Sequence, residues 1–172
     1  MLVQHSASAT PADPDPAIRR ALDSISRSFL RDAVHTLAIP RHADLEPDNN
    51  RLTAHWIARQ LRAFGYETNL QGEFANVIAR LKQPPALAAA PCTLVGAHYD
   101  SVPGCPGADD NASAVAAMLA CAKAVADHAP HRPICFASFN REEDGLRGSA
   151  DFVENVVQAR HLNIREATSR IC

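Results

Sequence analysis

Apolar positions recur at spacings of three and four from Ile18 through Leu22, Ile25, Phe29, Ala33 and Leu37. That period predicts one amphipathic helix, opened by Asp15-Pro16 and closed near Ile39-Pro40. RHADLEPDNN (41–50) reads as a polar loop. A second helix is predicted from about Arg51 to Phe64, with Leu52, Trp56, Ile57, Leu61 and Phe64 on a broad apolar side and Gly65 closing it. The pattern then changes. YETNL (66–70) and NVIARL (76–81) read as two short strands around a Gly72 turn. KQPPALAAAP (82–91) is a connector. CTLVGAH (92–98) and PICFASF (133–139) are continuous apolar runs bounded by turn residues, as expected of strands covered on both faces. Between them lie a Gly/Pro loop (101–108) and a long Ala-rich helix from Asp110 to about His128, with no internal Gly or Pro. A last helix is predicted from about Ser149 to Ala159. Strand–helix–strand–helix over 92–160 argues a βαβ crossover and an α/β fold.

Composition changes this picture little. Of 172 residues, 47% are apolar and 21% charged, which is ordinary for a globular domain. A net charge of −2 gives no basic field, so nucleic acid and anionic membranes are not expected partners. No run of about 18 apolar residues predicts a membrane span. Residues 1–15 have neither a basic start nor an apolar run, so they read as a loose leader and not as a secretory signal; the cytoplasm is the default assignment. Residues 16–172 read as one partial domain. The five cysteines, at 92, 105, 121, 135 and 172, are odd in number and contain no CxxC, so free thiols are expected.

Candidate chemistry clusters at three places. His98-Tyr99-Asp100 ends the first buried strand. Asp109-Asp110-Asn111 sits where a loop turns into a helix. Glu142-Glu143-Asp144 follows the second buried strand. In open α/β sheets the carboxyl ends of strands face the ligand crevice, so parallel neighbours would bring all three together. One imidazole among several carboxylates, with no lysine nearby, suits a divalent cation: zinc first, cobalt or manganese less well. Asp100, two residues past His98 on an extended chain, points to the same side and could fix the ring's tautomer. Singly, each group has a plainer reading. His98 would be a hydrogen-bonded strand-end residue, Asp109-Asp110 a helix cap, and Glu142-Glu143-Asp144 a solvated turn; for Asp144 that reading is kept. Gly145 and Gly148 read as turn and close-packing glycines. Cys105 is assigned to loop packing.

GAHYDS (96–101), GADDNAS (107–113) and REEDGLRGS (141–149) resemble, in order and spacing, the three motifs of the two-zinc aminopeptidases of metallopeptidase family 28. NNRLTAHWIARQLRAFGYET (49–68) and the strand at Asn76-Val77-Ile78-Ala79 resemble its upstream part. The resemblance implies a three-layer αβα fold with a mainly parallel sheet. It also implies roles: His98 as the imidazole ligand of one zinc, Asp100 as the carboxylate orienting it, Asp110 as the bridging ligand, Glu143 as a ligand of the second zinc, and Glu142 as general base. The implied reaction is removal of N-terminal residues from peptides by a hydroxide held between two zinc ions.

The family uses two further ligands, an aspartate and a distant histidine, which have no match before Cys172. The domain is therefore expected to be incomplete at its C-terminal end, with an exposed sheet edge open to self-association. His161 and Glu166 are the substitute ligands the tail offers. Other readings share these motifs: an inactive fragment or non-catalytic binding domain, and a relative acting like a glutaminyl cyclase or a carboxypeptidase.

Overall fold

The structure, a computed structural model, describes residues 15–82, 84, 87, 90–128, 132–159 and 162–169. The expected leader (apart from Asp15), His161 and Cys172 lie outside them. The chain opens with α1 (Pro16–Asp23), α2 (Arg27–Leu37) and α3 (Pro47–Ala63). The single helix expected over 16–37 is therefore two. Ser24 Oγ donates to the Ala21 carbonyl at the end of α1, and Ser26 Oγ accepts the Phe29 N–H at the start of α2. Serine side chains that bond to nearby backbone stop one helix and cap the next, whatever the apolar period says. Helix α3 starts earlier than expected because Pro47 occupies its first turn.

Strands β1 (Glu67–Gln71), β2 (Asn76–Arg80), β3 (Cys92–His98), β4 (Ile134–Phe139) and β5 (Ile164–Ser169) form one sheet in the order β1-β2-β4-β3-β5. β3 runs parallel to both β4 and β5, while β2 is antiparallel to β1 and β4. Residues 164–169, for which the sequence pattern predicts no element, are a strand. Pairing with the backbone of β3 overrides a sequence with little strand pattern.

The two faces carry separate cores, as a period of two requires. Val77, Ala79, Ala97 and Phe136 pack with residues of α2, α3 and α4 (Ala114–His128), among them Leu37, Ile57, Leu61, Val115 and Leu119. Ile78, Leu94, Cys135, Ala137 and Phe139 point the other way, onto Phe152 of α5 (Arg147–Phe152) and onto Val156 and Val157 of the π-helical turn that follows. Helices cover both faces, giving three layers. The alanines of α4 hold it against the sheet, five of them buried.

Helix α4 begins at Ala114, not at Asp110. Residues Ala108–Ser113 form a π-helical turn in which Asp110 and Asn111 leave helical backbone angles. The expected 149–159 helix likewise runs as α5 over Arg147–Phe152 and then widens. Cys92, Cys105, Cys121 and Cys135 are free thiols. Among the described residues no helix is long and apolar enough to cross a membrane.

Candidate metal centre

Parallel pairing places His98 beside Phe139, so β3 and β4 end at the same level of the sheet. The chain leaves both strands there, and the three polar clusters meet at that rim. His98 is buried, its side chain 2% exposed. Its Nε2 lies 2.9 Å from Asp110 Oδ1 and its Nδ1 lies 3.3 Å from Asp100 Oδ1. His98, Glu142 and Glu143 each offer a ligand atom, all within 4.8 Å of one another. Asp110 reaches this group because its backbone leaves the helical path, which turns the carboxylate onto the ring.

Asp100, 1% exposed, does more than face the ring. Its Oδ1 accepts the Glu142 N–H and its Oδ2 accepts the Glu143 N–H, both at 3.2 Å. One carboxylate therefore ties the end of β3 to the turn after β4. Behind it, Asn140 donates to Asn50 Oδ1 and to the Phe74 carbonyl, and receives from Asn50 Nδ2. Asn76 Oδ1 accepts the Asn140 N–H while its Nδ2 donates to the Gly148 carbonyl and to Gln71 Oε1. These buried amides fix the 140–148 turn from three sides. Gly148 fits there because a Cβ would stand 2.1 Å from the Asn140 carbonyl oxygen, and Gly145, at φ +92°, is a turn glycine. Asp144 is not simply solvated: it bonds to Arg141 at 2.8 Å and lies 3.3 Å from His42 Nε2.

The electrostatics follow from crowding. Burial works against charging His98, but the hydrogen bond to Asp100 and the charges of Asp100, Glu142 and Asp110 outweigh it, so its pKa is raised. The Glu143 carboxyl is also raised, first by burial and then by Asp110. Neighbouring carboxylates contribute to both shifts, behind burial in the case of Glu143. Among the described residues no lysine or arginine side chain hydrogen-bonds to Asp110, Glu142 or Glu143; Arg141 is taken by Asp44 and Asp144. Imidazole nitrogen and carboxylate oxygens are the donors zinc accepts, so the residues present fit a divalent cation.

Glu166 does not join them. Its Cα partner is Thr93, at the far end of β3 from His98, and its side chain is exposed. Arg41, in the segment predicted as a polar loop, also lies beside the site. It is 1% exposed and donates to the carbonyls of Leu37, Ile39, Tyr99, Pro106 and Gly107. An arginine outside any helical period carries no signal of burial.

The chain shares 36% identity over 97 residues with the aminopeptidase YwaD of Bacillus subtilis, covering 56% of this chain and 20% of that protein. With a vacuolar membrane protease of Candida albicans it shares 32% over 128 residues, covering 74% of this chain and 14% of that protein. The structure of the Legionella pneumophila LapA aminopeptidase superposes with a TM-score of 0.80 at 18% identity, covering 97% of this chain and 48% of that one, which shows a common fold. The chain thus spans about a fifth or less of the curated relatives it matches, and about half of this solved neighbour. Residues 76–167, more than half of the chain and all of the rim residues from His98 to Glu143, match Peptidase family M28, and the chain belongs to that family.

Proposed function

We propose that this chain carries the metal-binding and proton-transfer groups of a zinc aminopeptidase that removes N-terminal residues from peptides. The observation that carries this reading is the meeting of His98, Glu142 and Glu143 within 4.8 Å, with Asp110 against the ring's outer nitrogen. His98, Asp110 and Glu143 hold the ions. Asp110 is placed among the ligands because its carboxylate faces the Nε2 through which His98 would bind, where a cation replaces a proton. Asp100 orients the ring from Nδ1 and fixes its tautomer.

When bound, zinc supplies Lewis acidity, lowering the pKa of water and polarising a carbonyl. The protein's own groups do the rest. Glu142, held by the Asp100 bond to its N–H, accepts a proton from the attacking water and returns it to the leaving amine. The relative named as an aminopeptidase supports the exopeptidase reading.

Hydrolysis of an aminoacyl anilide with added zinc tests this. The expected result is zinc-dependent release of the aniline, abolished by a chelator and by acetylating the substrate's α-amine. Release that survives both treatments would refute the reading.

A further inference from the structure

Arg41 stands outside the motifs, is buried, and has no carboxylate in hydrogen-bond reach among the described residues. Its planar fork is spent on carbonyls. Nε donates to Tyr99 at 2.6 Å, Nη1 to Leu37, Ile39 and Pro106, and Nη2 to Gly107 at 3.0 Å. Its own N–H donates to Ser101 Oγ, which in turn donates to the Cys105 carbonyl. Three of the five carbonyls, and the serine, belong to the loop that starts at His98 and ends at Asp110. Gly107 is pressed against the guanidinium: a Cβ there would stand 3.1 Å from Nη1 and 2.4 Å from the Asp110 carbonyl oxygen.

Besides Arg41, the loop is held by Asp100 at its start and by the bond from the Gly104 N–H to Glu46 Oε1. It holds Pro103, Gly104, Pro106 and Gly107 and has neither strand nor helix before Ala108. Five donors in one plane can collect carbonyls converging from several directions, which an ammonium cannot do. The charge of Arg41 also lies within electrostatic reach of Asp100, Asp110 and Glu143.

We propose that Arg41 is a positioning residue of the metal centre: its buried guanidinium gathers the 99–107 carbonyls and so sets where Asp110 meets His98. The inference rests on the proposed function for the effect on ions, but not for the effect on the loop.

Arg41→Lys tests it, since the variant keeps the charge and loses the fork. Two readouts are taken: amide hydrogen exchange in the metal-free protein, and cobalt binding with its visible absorption spectrum. The expected result is exchange about tenfold faster over 100–112 with the sheet unchanged, and cobalt affinity about 10–100-fold weaker with an altered spectrum. Parent-like loop exchange in folded Arg41→Lys overturns the proposal, as does parent-like cobalt affinity together with an unchanged spectrum. If Arg41→Lys does not fold, Arg41→Gln, which keeps one amide donor pair in place of the five-donor fork, is read against the same outcomes. A parent that binds no cobalt counts against the proposed function alone, because loop exchange still judges Arg41.

Discussion

His98 faces a carboxylate oxygen from each ring nitrogen, an arrangement that favours the doubly protonated ring until a cation takes one side. The proposed roles of Asp100 and Glu142 are consistent with their positions. Asp100 is fully buried and spends both oxygens on backbone amides, so it can orient but not move. Glu142 is half-buried at the rim and makes no side-chain hydrogen bond among the described contacts, which leaves it free to carry a proton. Replacing Glu142 with Ala is therefore expected to lower turnover by about 10²–10⁴-fold while zinc stoichiometry stays at the parent's value; a parent-like rate would remove Glu142 from the base role. The meeting of His98, Asp100, Asp110, Glu142 and Glu143 at one rim was legible in the sequence, because each lies near a strand end or loop–helix junction within a spaced motif. Arg41, and the bonds from Asp100 to the 142 and 143 amides, were not. They depend on which loops meet in space, and no local periodicity encodes that.

At the scale of elements, apolar runs were the dependable signal. CTLVGAH became β3 at its expected ends, and the strand begun at Ile134 ends at Phe139 as expected. Helix boundaries were less legible. Ser26 capping split the first helix, and Asp110 and Asn111 leave the helical path ahead of α4. β5 was hidden because its order comes from the edge of β3 and not from its own side chains. The packing of the 140–148 turn gives a direct check. A Cβ at Gly148 would meet the Asn140 carbonyl oxygen at 2.1 Å and Asn76 Oδ1 at 2.5 Å, neither of them a flexible end. Gly148→Ala is expected to lower stability by about 1–3 kcal/mol in denaturant unfolding. A variant as stable as the parent would show that the turn yields without loss.

For the whole molecule, the proposed ion binding would be linked to folding through the crowded acids. His98 has a raised pKa in the folded, metal-free chain, so its stabilising contribution is full below its ordinary value and is lost as pH rises through the raised one. The raised Glu143 carboxyl acts in the same direction, since ionising it in the fold is harder than in the unfolded chain. The metal-free protein is expected to lose thermal stability from about pH 5 to pH 8, while zinc, which needs the deprotonated ligands, restores more at the upper end. A zinc-induced shift in Tm that is equal at both ends, or larger at pH 5, would contradict this. The three-layer core stands apart from that linkage: Leu61, fully buried between α3 and the sheet, is expected to cost about 2–5 kcal/mol as Leu61→Ala at any pH in that range.

The most direct test of the central claim is zinc K-edge absorption of the loaded protein beside its His98→Ala variant. The expected result is imidazole nitrogen and carboxylate oxygen at about 2.0–2.2 Å, no sulfur at about 2.3 Å, and loss of bound zinc in the variant. A sulfur shell, or zinc bound to His98→Ala with the parent's stoichiometry and spectrum, would contradict it.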